Sequence, residues 1–124
     1  MINKYRPRII DRELSIRLKS IGAIVLEGAK WCGKSTTAEH HSNSAVFMDD
    51  PRRRSQYLIF AEDNPDLILN GETPRLIDEW QLAPMVWDAV RYTVDHRAGM
   101  GQFILTGSAK HANKEKISHS GPGR

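Results

Sequence analysis

A glycine-rich segment at residues 28–35 carries the clearest chemical signal in the sequence. It reads Gly-Ala-Lys-Trp-Cys-Gly-Lys-Ser and matches the spacing G-x-x-x-x-G-K-[ST] of a phosphate-binding loop. The two glycines let the backbone curl so that its N–H groups face phosphate oxygens, and a helix that starts at the loop adds the positive end of its dipole. The segment is therefore predicted to cradle the phosphates of a nucleotide.

Side chains in this loop have separate expected tasks. Lys34 can reach the β- and γ-phosphates as a point charge, and the Ser35 hydroxyl can bind Mg²⁺. Cys32 lies beside them, where its thiol is either a filler or a redox switch. The positions expected to contact the nucleotide are Gly28, Ala29, Lys30, Trp31, Cys32, Gly33, Lys34, Ser35 and Thr36. The predicted ligands are ATP and Mg²⁺.

The acidic pair Asp78-Glu79 supplies the second part of a nucleotide site. It directly follows the short apolar run Leu76-Ile77, and ligands of parallel sheets bind at the carboxyl ends of the strands. Asp78 is predicted to complete the Mg²⁺ site, and Glu79 to orient and deprotonate an attacking water. Successive side chains of a strand point to opposite faces, so the two can share one ligand only if the strand ends there. The alternative is an ordinary solvated loop start.

A third group of polar residues ends the run at residues 103–108, which reads Phe-Ile-Leu-Thr-Gly-Ser. In ATPases with an Asp-Glu pair, a polar residue here contacts the water or the γ-phosphate. Ser108 is the preferred candidate and Thr106 the second. An ordinary strand end followed by a turn explains the same residues equally well.

The order of apolar patterns predicts the elements that position these groups. Strands are predicted at residues 23–26, 45–48, 76–77 and 102–106. Helices are predicted from Asp11 to Gly22, at 35–41, from an Asp50 N-cap to about residue 62, at 66–69, and after Pro84. Strands that alternate with helices indicate an α/β fold with a parallel sheet covered on both faces.

Composition excludes several other classes of protein. The chain has 124 residues, 40% of them hydrophobic, and no apolar stretch long enough for a membrane span. It has one cysteine, so no intrachain disulfide forms, and a cytoplasmic location is expected. A net charge of +3 does not indicate nucleic-acid binding. The basic run Arg52–Arg54 is interpreted as a solvated helix face rather than a phosphate-binding patch, and the histidines show no metal spacing.

Taken together, the sequence resembles an AAA-type ATPase family of bacteria and archaea whose longer members continue into a C-terminal domain of unknown function. The matching segments are residues 5–9, 28–35, 49–51, 76–81, 101–108 and 120–124. The resemblance implies a P-loop NTPase three-layer sandwich with sheet order 5-1-4-3-2. It also implies Lys34 and Ser35 at the phosphates and Mg²⁺, Asp78 at Mg²⁺, Glu79 as the catalytic carboxylate and Ser108 as the sensor residue. Arg124 lies where a transition-state arginine could arise.

The family's last strand is expected to begin just after Arg124, so the chain is interpreted as truncated. Residues 1–110 are predicted to form an incomplete ATP-binding domain that lacks the last strand, and residues 111–124 an irregular polar tail. The first strand would then be an open edge, which invites self-association.

Three functions remain open from the sequence. The first is an ATP-binding module that hydrolyses ATP in its intact form. The second is a P-loop small-molecule kinase, for which Arg52–Arg54 is the candidate lid and Glu79 has no clear role. The third is a non-catalytic remnant that only binds nucleotide. A GTPase is disfavoured because the guanine signature Asn-Lys-x-Asp does not occur.

Overall fold

The computed structural model describes residues 9–28, 34–97, 99–108 and 116–120. Its helices are α1 (Ile9–Leu18), α2 (Lys34–His40), α3 (Arg54–Asp63), α4 (Asp66–Leu69) and α5 (Met85–Arg97), with a short 3-10 helix at Trp80–Leu82. Its strands are β1 (Ala23–Gly28), β2 (Ser44–Phe47), β3 (Arg75–Asp78), β4 (Phe103–Ser108) and β5 (Lys116–Ser120).

The strands form one sheet in the order β2-β3-β4-β1-β5. β2, β3, β4 and β1 run parallel to one another, which confirms the predicted parallel α/β sheet. The apolar residues of β1, β3 and β4 are almost fully buried, because helices cover both faces of these strands. The short apolar runs of the sequence are therefore strands of a sheet interior.

Two apolar clusters, one on each face of the sheet, make a three-layer sandwich. On one face, alternate strand residues pack with α1 and α2, and this cluster comprises Leu14, Ile24, Leu26, Ala38, Leu76 and Ile104. On the other face, the intervening residues pack with α3, α4 and α5, and the members include Val25, Ala61, Ile68, Ile77, Val90 and Leu105. Strand alternation therefore assigns Asp78, Thr106 and Ser108 to the face that α2 covers.

The prediction that β1 forms a free edge of the sheet is wrong. β5 pairs antiparallel with β1, with Ile117 opposite Leu26, and so covers that edge. The predicted irregular tail is likewise wrong for Lys116–Ser120, whereas the order 1-4-3-2 of the parallel strands is as expected. The physical reason is that the unpaired backbone groups of β1 offer a hydrogen-bonding ladder, which a polar segment can join without an apolar pattern of its own. Self-association through an open β1 edge is therefore not supported.

Two helices begin at residues other than those that the predicted N-caps indicated. α1 begins at Ile9, before Asp11, and α3 begins at Arg54 rather than at Pro51. The Asp50 Oδ1 atom accepts a hydrogen bond from the Arg52 backbone N–H (3.0 Å), so it closes a turn that precedes the helix. The three arginines Arg52–Arg54 are exposed, as predicted, but Arg52 and Arg53 lie in the turn before α3 and not on a helix face. The short helix at residues 66–69 is confirmed as α4.

Arg75 ties neighbouring elements to the amino end of β3, away from the acidic pair. Its Nε atom donates to the Ile68 carbonyl (2.7 Å) and its Nη1 atom donates to the Ser44 hydroxyl (3.1 Å). Burial lowers the pKa of the Arg75 guanidinium, and the nearby Tyr57 opposes that shift. Arginine remains charged at neutral pH, so these two acceptors stabilise a partly desolvated cation.

Candidate functional site

The carboxyl ends of the parallel strands bring the predicted chemical groups to one end of the sheet. Gly28, where β1 leads into the predicted phosphate loop, lies opposite Ser108 at the end of β4. Thr106 lies opposite Asp78 at the end of β3, and Asp78 lies opposite Phe47 at the end of β2. The start of the loop and the acidic pair are therefore separated by one strand, β4.

Asp78 is a buried carboxylate held by a buried hydroxyl. Only 6% of Asp78 is exposed and Thr106 is fully buried. The Thr106 Oγ1 atom donates to Asp78 Oδ1 over 2.6 Å. A carboxylate removed from water needs such donors, because burial without them is costly. The bond fixes the Asp78 carboxylate on the face that carries α2.

Glu79 follows the last residue of β3 and has a left-handed backbone, with φ 57° and ψ 46°. It is the one non-glycine residue with positive φ in the described part of the chain. This conformation breaks the strand alternation, so Glu79 does not point away from Asp78. The Ser108 hydroxyl donates to Glu79 Oε2 (2.9 Å), so Glu79 lies beside the end of β4. The condition that the strand must end at Asp78 is met.

Gln81 contacts Glu79 from the 3-10 helix, and it is a site residue that was not predicted from the sequence. Its Nε2 atom donates to Glu79 Oε1 over 2.6 Å. Each carboxylate oxygen of Glu79 thus accepts a hydrogen bond from a side chain, one from Gln81 and one from Ser108. The sequence feature that could have indicated Gln81 is its position, two residues after Glu79 in the acidic pair that ends β3.

Asp49 is a second residue that the sequence analysis missed as a site member. One carboxylate oxygen each of Asp49, Asp78 and Glu79 lies within 4.8 Å of the other two. The Met48 N–H donates to the Asp78 carbonyl (3.0 Å), which extends the pairing of β2 with β3 and brings Asp49 to the acidic pair. Carboxylate oxygens are the ligands that Mg²⁺ prefers. The sequence feature that could have indicated Asp49 is its position just after β2, a strand predicted to run parallel to β3 and so to end at the same side of the sheet.

Helix α2 begins where the predicted phosphate loop ends, and it packs on β1, β3 and β4. Thr36 is exposed in its first turn. Several predicted positions lie outside the described residues: Ala29, Lys30, Trp31, Cys32, Gly33, Arg124, and the side chains of Lys34 and Ser35. Their roles stay predictions.

The strand order, the loop position at the end of β1 and the acids at the end of β3 are the arrangement of a P-loop core. A family model described as AAA domain matches residues 20–124. The chain belongs to the AAA domain family. Membership implies that this AAA domain binds ATP through a phosphate loop. The assignment of that loop to residues 28–35 stays a prediction.

No curated protein and no solved structure matches the chain. None of the helices in the described part of this AAA domain has the length and apolar character that crossing a bilayer requires.

Proposed function

We propose that this AAA domain binds Mg²⁺–ATP at the carboxyl end of its sheet and hydrolyses it to ADP and phosphate. The observation that carries the proposal is the placement of Glu79, whose carboxylate reaches Ser108 at 2.9 Å next to the start of the phosphate loop. A carboxylate in that place is suited to act on a water beside the terminal phosphate.

The donor set around Asp78 fits a magnesium ion. The fit rests on the clustered carboxylate oxygens of Asp49, Asp78 and Glu79, which are hard donors within 4.8 Å of one another. Ser35 and Asp78 would hold the ion, and Asp49 would add negative charge to the site. The ion, when bound, would neutralise part of the negative charge of the phosphates.

The residues of the chain divide the hydrolytic step among them. Glu79 accepts the proton of the water, whose oxygen bonds to the γ-phosphorus. The bond between that phosphorus and the β–γ bridging oxygen breaks, and ADP leaves with the bond's electrons. Lys34 offers donors to the charge that develops on the phosphoryl oxygens, and Arg124 is the candidate for a further cation. The single O–H group of Ser108 donates to Glu79 and holds that carboxylate at the end of β4.

Binding is tested by the thermal stability of the purified chain with and without Mg²⁺–ATP. A ligand at 100-fold its Kd stabilises the native state by about 2.7 kcal/mol. Lys34→Ala should lose most of this gain, whereas the control Lys19→Ala, at an exposed position, should keep it. Equal stabilisation of both variants would refute the assignment of the loop. GTP should stabilise no more than ATP.

Hydrolysis is tested by phosphate release from Glu79→Gln, with Glu62→Gln on the exposed surface of α3 as the matched control. Loss of a general base slows a reaction by ~10²–10⁴-fold, so Glu79→Gln should bind ATP with nearly unchanged affinity and release little phosphate. Normal turnover in that variant contradicts the role of Glu79. ATP consumption that starts only when an acceptor molecule is added would favour the kinase.

A further inference from the structure

We propose that Gln81 is a positioning residue that fixes the orientation of the Glu79 carboxylate; its effect on turnover rests on the proposed function. The Gln81 Nε2 atom donates to Glu79 Oε1 at 2.6 Å, the shorter of the two side-chain hydrogen bonds that this carboxylate accepts from the described residues. The other bond comes from Ser108 on β4 and reaches Oε2. Gln81 therefore acts through Glu79.

Two donors on two oxygens stop a rotation that one donor would allow. The last torsion of a glutamate side chain is broad and soft, so a carboxylate held at one oxygen still swings about that bond. Ser108 comes from the end of β4, and Gln81 comes from the 3-10 helix that follows Glu79. Together they fix the plane of the carboxylate, and with it the direction of the oxygen that receives a proton.

The surroundings of the Gln81 amide show that its polar end serves Glu79. A carboxylate only accepts, so the amide must turn its NH₂ group to Glu79 and its oxygen away. That oxygen, Oε1, is buried and has no hydrogen-bond partner among the described residues. Within that part of the structure, the bond to Glu79 is the one hydrogen bond that the amide makes.

Gly107 makes the room that this amide occupies. A Cβ atom at Gly107 would lie 2.5 Å from Gln81 Oε1 and 3.2 Å from Trp80 Nε1. Real Cβ atoms essentially never come within 3.0 Å of a neighbour, so the flexible Gln81 side chain would have to move. β4 therefore supports Glu79 twice, by the Ser108 hydroxyl and by the absence of a side chain at the preceding residue.

The kinetic test uses Gln81→Met, which keeps the length of the side chain and removes the donor. Misplacement of a catalytic group costs up to ~10²-fold in rate, so kcat for ATP should fall about 10- to 100-fold while the Kd of Mg²⁺–ATP stays within about two-fold. Gly107→Ala should lower kcat in the same way, and the double variant should be no slower than the slower single one, because both act through one amide. Gln56→Met, on the exposed surface of α3, is the matched control.

A second test reads the hydrogen bond without turnover. In the ¹⁵N-labelled chain, the side-chain NH₂ resonances of Gln81 are assigned by their loss in Gln81→Met. They should shift in Glu79→Ala and stay in place in Glu62→Ala.

The outcomes separate the inference from the proposed function. Unshifted NH₂ resonances in Glu79→Ala overturn the inference, and so does a kcat that is unchanged or raised in Gln81→Met. A raised Kd with normal kcat also overturns it, because it would place Gln81 in binding. If the unsubstituted chain releases no phosphate, the proposed hydrolysis fails by itself, and the NH₂ resonances still decide whether Gln81 holds Glu79.

Discussion

The hydrogen bond between Thr106 and Asp78 yields the sharpest prediction about stability. Thr106→Val removes the hydroxyl and keeps the shape of the side chain, so no cavity forms at a residue that is fully buried. The bond is short, at 2.6 Å, and its acceptor is a carboxylate with only 6% exposure. Valine therefore deprives a buried carboxylate of a donor.

The expected size of the effect follows from the charge of the acceptor. Hydrogen bonds to charged groups contribute about 1.5–3 kcal/mol to stability, against about 0.5–1.5 kcal/mol for neutral pairs. Thr106→Val should therefore lower the free energy of unfolding by about 1.5–3 kcal/mol. For a chain of this size that corresponds to a fall in Tm of about 5–12 °C.

Chemical denaturation at neutral pH measures this difference, with four further variants to isolate the effect of the hydroxyl. Thr106→Ser keeps the donor and loses one methyl group, so it should cost only about 1 kcal/mol. In an Asp78→Asn background the acceptor is neutral, and the cost of Thr106→Val should fall to about 0.5–1.5 kcal/mol. Thr93→Val, on α5, controls for the exchange of hydroxyl for methyl elsewhere.

The reasoning is refuted if Thr106→Val is as stable as the unsubstituted chain, or if Thr106→Ser is the less stable of the two. An equal cost of Thr106→Val with Asp78 and with Asn at that position would also refute it. In that case the hydroxyl would stabilise the protein through some other group.

Three further predictions concern other parts of the molecule. Gly101→Ala should lower the free energy of unfolding by about 1–3 kcal/mol in chemical denaturation, because Gly101 has φ 59° and an added Cβ would lie 2.8 Å from the Leu18 carbonyl oxygen. The control Gly99→Ala should cost under about 1 kcal/mol in the same experiment, because its Cβ would make only ordinary contacts of 3.5 Å or more. Asp49→Asn should weaken Mg²⁺-dependent ATP binding by several-fold in a titration of the metal, and an unchanged titration would remove Asp49 from the site. Arg75→Met should lower stability by about 1.5–3 kcal/mol through loss of its bonds to α4 and β2, and an unaltered denaturation midpoint would show that these bonds contribute nothing.

Several features of the fold and the site could be predicted because they are local in the chain. Apolar runs at residues 23–26 and 102–106 predicted buried strands, and the alternation with helices predicted a parallel sheet. Parallel order places all the strand ends on one side, which predicted that the start of the phosphate loop and the acidic pair would lie near each other. These predictions agree with the structure because each depends on residues that are only a few positions apart, and such patterns are visible in the sequence.

Helix starts and the last strand were predicted less well, because each depends on a competition between partners. Asp50 is a residue type that favours the N-cap position, yet its side chain closes the turn that precedes α3. The Lys116–Ser120 strand has little apolar pattern, and it forms by pairing with the backbone of β1. Local propensity does not distinguish the two roles open to Asp50, because closing a turn and capping a helix are both favourable for an aspartate. It also does not predict the last strand, because the partner strand β1 is distant in the chain.

The sequence by itself determined the chemical groups of this AAA domain: a predicted phosphate loop after one strand, an acidic pair after another and hydroxyls at the end of a third. Only the tertiary structure decided how these groups are joined. Ser108 and Thr106 meet the acids across 29 and 28 residues of chain, and the left-handed backbone at Glu79 turns its carboxylate to Ser108 and Gln81. The reason is physical: residue type fixes what a side chain can donate or accept, whereas strand register and one backbone torsion fix which atoms come within 3 Å of each other.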